Sequence, residues 1–146
     1  MDFDKLPNYR RAEIYRENYG KWKRNSLVHI GFFPVFQPLK EEFLLKKLSG
    51  NALKLYLYLG LNSGNTTGET WTSIDTIAKY FDKSPRAISN WIKELEDHQL
   101  IIRMQLAPNE AAHTFLKPYG TKMLYDKIFT DKATEMTFDL FDDNSG

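Results

Sequence analysis

The stretch Trp71 to Ile102, WTSIDTIAKYFDKSPRAISNWIKELEDHQLII, allows few folds, because two short helical periods follow each other with a stop and a restart between them. Ile74, Ile77, Ala78 and Phe81 recur at the i, i+3, i+4, i+7 spacing of one helical face, and Thr72 with Asp75 three residues on forms a capping box. Asp82 and Lys83 break the pattern. Ser84 then supplies an N-cap and Pro85 the first helical position, where a missing N–H is no loss. The second helix turns Ile88, Trp91, Ile92 and Leu95 inward, with Trp91 as a core anchor. Arg86, Ser89, Asn90 and Lys93 then point the other way, on a face free of acids over the first three turns.

Two short helices about such a turn describe a helix-turn-helix, whose second helix can lie in the major groove of DNA. Asn90 suits adenine, Arg86 or Lys93 suits guanine or phosphate, and Ser89 adds a hydroxyl on the same face. Lys79, Lys83 and Ser84 fall where phosphates would pass. The run SPRAISNWIKELEDHQLI resembles the recognition helix and following strand of winged helix-turn-helix proteins, and the likeness spans roughly Ser49 to Pro118. It implies an α+β fold in which a helical core carries a small antiparallel wing. In that family a glycine ends the recognition helix; Gln99 stands there in this chain, and it must leave the helix without glycine's freedom at positive φ. A second stretch, FFPVFQPLKEEFLLKKLSGNALKLYLYL, resembles the N-terminal winged-helix domain of replication initiators from Gram-positive plasmids and related mobile elements.

Around this centre the chain divides into a basic aromatic arm (residues 1–26), the winged domain (27–118) and a C-terminal helix with an acidic tail (119–146). The arm interleaves Arg10, Arg11, Arg16, Lys21, Lys23 and Arg24 with Tyr9, Tyr15, Tyr19 and Trp22. Such a segment either follows a phosphate backbone or packs its rings onto the domain. Leu27 to Gln37 is β-branched and aromatic with Pro34 inside it, the pattern of an edge strand or an extended cover. Leu39 to Leu48 has the spacing of a short helix. Ser49 then caps NALKLYLYLGLN, which is apolar almost all round and so asks to be covered on more than one side, by the N-terminal segment or by a second copy of the chain.

A Gly, Ser and Asn loop at 62–69 leads to a short strand around Trp71, from Thr70 to Thr72. Leu100 to Leu106 and His113 to Leu116 are extended runs on either side of APNEAA, which makes them a hairpin, the wing. Its tip carries Glu110 and no cation, so Arg103 and Lys117 on its flanks are the wing's candidates for phosphate. TKMLYDKIF has helical spacing. The end, TEMTFDLFDDNSG, alternates acids with Met136, Phe138, Leu140 and Phe141, a composition that can dock on a partner protein.

Charge is uneven although the net is +1: residues 1–60 carry 11 Lys and Arg against 6 Asp and Glu, 61–118 carry 6 against 7, and 119–146 carry 3 against 6. A basic front suits a polyanion. With 42% hydrophobic and 14% aromatic residues among 146, a packed domain is expected. There is no cysteine, and His29, His98 and His113 do not pair at ligand spacing, so no metal or other cofactor is expected. The apolar run Ala52 to Leu61 is too short for a bilayer, and a cytoplasmic protein away from membranes is expected. Glycine-rich phosphate loops, nucleophile elbows and two-histidine helices are absent, and Glu94, Glu96 and Asp97 make a charge run at the exposed end of the second helix; no enzyme is expected. The leading expectation is sequence-specific binding of double-stranded DNA, in a bacterial mobile element, to control replication, transfer or transcription. The rival is a protein-interaction or oligomerisation scaffold of a replication or transfer complex, with no readout of DNA.

Overall fold

The structure is a computed structural model, and residues 2–130 are described. The chain falls into two compact units, Met1–Phe33 and Pro34–Gly146. The expected acidic tail, with its acids and its Met136, Phe138, Leu140 and Phe141, lies outside the described residues.

In the first unit a 3-10 turn, Phe3–Lys5, leads into α1, Asn8–His29. Most of the basic aromatic arm is thus a 22-residue helix, which runs through the first residues of the expected edge strand. None of its residues is buried, so burial imposes no period on the sequence. At about 100° per residue Tyr15, Tyr19 and Trp22 share one stripe, and Arg10, Lys21 and Arg24 lie on the opposite one. Phe3 meets Tyr15 edge-on with ring centres 5.4 Å apart, and Tyr19 and Trp22 are 5.6 Å apart. Arg10 pairs with Glu13 at 3.5 Å and Lys21 with Glu17 at 3.0 Å along the helix.

The second unit is an α+β winged helix-turn-helix. Residues 34–36 are extended but pair with no strand, and the expected helix over Leu39 to Leu48 is split into α2, Pro38–Glu41, and α3, Leu44–Lys47. The break is at Phe43, at φ +63°. Its left-handed backbone ends the first turn, and the corner buries Leu39 and Leu48. The Ser49 hydroxyl caps α4, Gly50–Leu61, by accepting the Ala52 N–H at 3.1 Å. Ala52, Leu55, Tyr56 and Leu59 of α4 meet Ile77 and Ala78 of α5 (Ile74–Phe81) and Ile88, Ile92 and Leu95 of α6 (Pro85–Asp97) in the core. Leu57 and Leu61 on the outer side of α4 are exposed.

Three strands close the unit: β1 (Glu69–Thr70), β2 (Ile101–Gln105) and β3 (Ala112–Leu116), antiparallel in the order β1-β3-β2. Ile102, Phe115 and Glu69 stand in one register, and Arg103, Thr114 and Thr70 in the next. Side chains alternate across a sheet, so the second set shares the inner face with buried Ile101. β2 and β3 are the expected wing. Trp71 lies beyond β1 and is exposed, with its ring centre 5.5 Å from that of His113.

After the wing, Tyr119 and Gly120 tie the chain back before α7, Thr121–Thr130. The Phe36 N–H donates to the Tyr119 hydroxyl at 2.8 Å, and Tyr119 also hydrogen-bonds buried Tyr56. Burial, with Tyr119 beside it, pushes the Tyr56 phenol well above the usual range, which keeps it a neutral hydrogen-bonding group. Among the described residues no helix is long and apolar enough to cross a membrane.

Gln99 fulfils the expectation drawn from the missing glycine. It sits at φ +60° as the residue after the C-cap of α6, and the end is a Schellman motif: the Leu100 N–H reaches the Leu95 carbonyl at 3.0 Å and the Gln99 N–H that of Glu96 at 3.0 Å. Left-handed backbone costs a residue with a Cβ roughly 1 kcal/mol or more. Gln99→Gly should therefore raise unfolding stability by about 1 kcal/mol in a urea titration. Gln99→Ala, which removes only the side-chain bond to Lys117, should not.

Candidate nucleic-acid interface

The helix-turn-helix is set by its caps. Ser73, not Thr72, caps α5: its hydroxyl accepts the Thr76 N–H at 3.1 Å, while the Thr72 hydroxyl is spent on Thr70 at 3.0 Å. Asp82 at φ +56° ends α5, with the Lys83 N–H on the Ala78 carbonyl at 3.0 Å. Two residues later the Ser84 hydroxyl accepts the Ala87 N–H at 3.2 Å and α6 begins at Pro85. The turn is thus fixed by one left-handed residue and one serine cap, and α6 lies against both α5 and α4.

Burial along α6 then sorts its side chains. Ile88, Ile92 and Leu95 are buried. Trp91, expected as a core anchor, is half-buried at the margin, edge-on to Phe81 with centres 5.6 Å apart. Arg86, Ser89, Asn90 and Lys93 are all exposed, as are Lys79 on α5 and Lys83 and Ser84 in the turn. No acid occupies the first turn of α6, so the partial positive charge of its N-terminus is uncompensated on this side. Lys93 lies 3.4 Å from Asp97. Both side chains are mostly exposed, and a pair of this kind holds its partners weakly enough to be exchanged for a phosphate or a base.

The wing residues behave differently from the expectation. Arg103 is half-buried, and its guanidinium donates to the Thr72 carbonyl at 3.4 Å and the Thr114 hydroxyl at 3.0 Å. Burial lowers its pKa and the nearby Glu96 carboxylate opposes the shift. Lys117 is half-buried and gives its ammonium to the Gln99 side-chain oxygen. The reason is strand parity: Arg103 shares a face with Ile101, which belongs to the core. These two cations tie the wing to the body of the domain and stand apart from the exposed set on α5 and α6.

The acids at the end of α6 also differ from the expected solvent-facing run. One Glu94 carboxylate oxygen accepts the Ser49 N–H at 2.8 Å, and Glu96 accepts the Arg103 N–H at 3.4 Å; Asp97 alone of the three is exposed. Two of the three histidines are engaged too. His98 hydrogen-bonds the Glu94 carbonyl at 2.9 Å, His113 pairs with Glu69, and His29 lies in the last turn of α1, not in a strand. Sequence reasoning missed the outer face of the wing sheet, where Trp71, His113, Phe115, Ile102 and Met104 come together. The period-two pattern of HTFL against IIRMQ was its signal. Among the described residues no group of three or more His, Cys, Asp or Glu could hold a metal ion.

Residues 46–101, from the end of α3 to the start of β2, match the family described as "Helix-turn-helix domain". No curated protein matches the chain. Three solved structures are similar to it. A MarR-like transcriptional regulator from Thermotoga maritima is 18% identical, with 90% of this chain and 89% of that one covered at a TM-score of 0.43. The N-terminal domain of a DNA-binding protein is 17% identical over 81% and 92%, at 0.48. A chain of a Rep–DNA complex is 16% identical over 77% and 92%, at 0.46.

Proposed function

We propose, from the premise that residues 46–101 are a helix-turn-helix domain within a winged fold, that the chain binds double-stranded DNA with α6 in the major groove. The observation that carries this is the outer face of α6. Arg86, Ser89, Asn90 and Lys93 are exposed together while Ile88 and Ile92 between them, and Leu95 beyond, are buried. In this reading those four residues meet base edges, and Lys79, Lys83 and Ser84 meet phosphates. The chain acts by occupying a site and not by catalysis. Its narrower role, control of replication, transfer or transcription in a bacterial mobile element, is supported by the likeness of residues 32–59 to plasmid initiator domains.

Salt dependence tests the binding. With the four cations Lys79, Lys83, Arg86 and Lys93 brought against the duplex, affinity should fall roughly a hundredfold between about 50 and 200 mM salt, and Lys79→Ala with Lys83→Ala should flatten the log–log slope by about 2. The rival reading, a scaffold without DNA readout, is favoured by one observation: Arg103 and Lys117 are engaged within the fold, so the wing offers no exposed cation. A scaffold would show no duplex affinity for salt to remove.

A further inference from the structure

α1 sorts its side chains by type although it buries none of them. Ala12, Tyr15, Tyr19, Trp22 and Ser26 fall within an arc of about 80°. Tyr15, Tyr19 and Trp22 are 63%, 59% and 62% exposed, and the last two rings lie 5.6 Å apart. Arg11 borders the arc on one side, and Lys23 and Arg16 border it on the other. The acids of the helix, Glu13 and Glu17, lie about 100° or more from its edge. Each pairs with a cation of the far face, Arg10 at 3.5 Å and Lys21 at 3.0 Å. Among the described residues Arg16 and Lys23 pair with no acid. The face that carries the rings therefore has charge of one sign, which fits a polyanion.

Other occupants fit less well. In a self-paired helix cations would meet in either direction, Arg11 with Arg16 if parallel and Arg16 with Lys23 if antiparallel. A bilayer surface asks for aliphatic side chains, and no Leu, Ile, Val or Phe lies within the arc. Bases in a duplex are closed to a ring by their own stacking at about 3.4 Å, whereas the three rings recur along the helix axis every 4.5–6 Å or roughly so. Bases of an opened strand can lie one on each ring, with the bordering cations in reach of its backbone.

We propose that the Tyr15, Tyr19 and Trp22 face of α1 binds single-stranded nucleic acid by stacking unpaired bases, with Arg11, Arg16 and Lys23 on the phosphates. This inference rests on α1 alone and holds whether or not α6 reads a duplex.

The test titrates the full-length chain with oligo(dT) and oligo(U) of about ten nucleotides at about 50 mM salt, following tryptophan emission. Expected is a quench that Trp22→Phe removes and Trp71→Phe keeps. Tyr19→Ala and Trp22→Ala should each weaken binding about tenfold or more. Arg16→Ala with Lys23→Ala should flatten the log–log salt slope by about 1.4. Alanine is the better helix former and α1 buries nothing, so these variants should keep the helix content of the parent by circular dichroism. Whichever oligonucleotide binds more tightly says whether the strand is DNA or RNA. No quench, or affinities unchanged in the alanine variants, would overturn the proposal. A loss of duplex affinity in the same measure would overturn it too, because it would lay α1 on paired DNA. So would a blue shift of Trp22 emission on anionic phospholipid vesicles that neither oligonucleotide reverses, which would assign the face to a membrane.

Discussion

Asn90→Ala is expected to lower the preference for a cognate duplex over random DNA by about 1–3 kcal/mol, a loss of roughly five- to more than a hundredfold. Asn90 is exposed in the middle of α6, one turn from both Arg86 and Lys93, where a carboxamide can donate to and accept from one adenine edge. Alanine is the better helix former and leaves the buried face untouched, so the variant should fold at least as well. The measurement is paired titrations against a duplex selected from a random library and its scrambled form. Lys83→Ala is the contrast: it should weaken both duplexes alike. An undiminished preference in Asn90→Ala would take that residue out of the readout.

Gly120→Ala is expected to cost about 2–5 kcal/mol of folding stability in a urea titration, the sum of two effects. Gly120 has φ +69°, which a residue with a Cβ adopts at roughly 1–2 kcal/mol. A Cβ there would also lie 2.3 Å from Cβ and 2.4 Å from Cγ of Pro38, and a rigid ring cannot swing aside. Both partners are held, because Tyr119 binds the Phe36 N–H and Tyr56 on either side of the contact. Gly50→Ala is the control: a Cβ at Gly50 meets nothing within 4 Å, and stability should hold or rise slightly. A Gly120→Ala variant as stable as the parent would mean that the start of α2 does not lie against Gly120.

What could be read from the sequence follows from what burial imposes. α5, α6 and the wing were legible because each puts one face into the core, and the core enforces the period of apolar residues; the exposed set on α6 is the complement of that pattern. α1 was illegible for the converse reason, since a helix that buries no side chain needs no stripe. Leu27, Val28 and Ile30 looked like a strand because β-branched residues are scored by type, yet the first two finish a helix. Phe43 breaks a run that composition alone makes continuous, because the corner is fixed by what Leu39 and Leu48 bury.

At the site, charge alone pointed Arg103 and Lys117 to the surface, whereas parity with Ile101 turns Arg103 inward. Ser73 and Thr72 are a near tie as caps, and the tie is broken by β1: Thr72 is within reach of Thr70, whose side chain is buried with Thr114. Glu94 and Glu96 sit at the border of the α6 face, where periodicity cannot say whether a carboxylate meets water or a backbone N–H.

The bond from Ser49 to Glu94 couples two functions that sequence distance keeps apart. The same serine that starts α4 through its hydroxyl hands its own amide to a carboxylate three turns along α6. A swivel of α6 would strip a hydrogen bond from the entry of α4. If α6 reads DNA as proposed, binding should proceed as the docking of a preset shape, with the duplex rather than the protein making the adjustment.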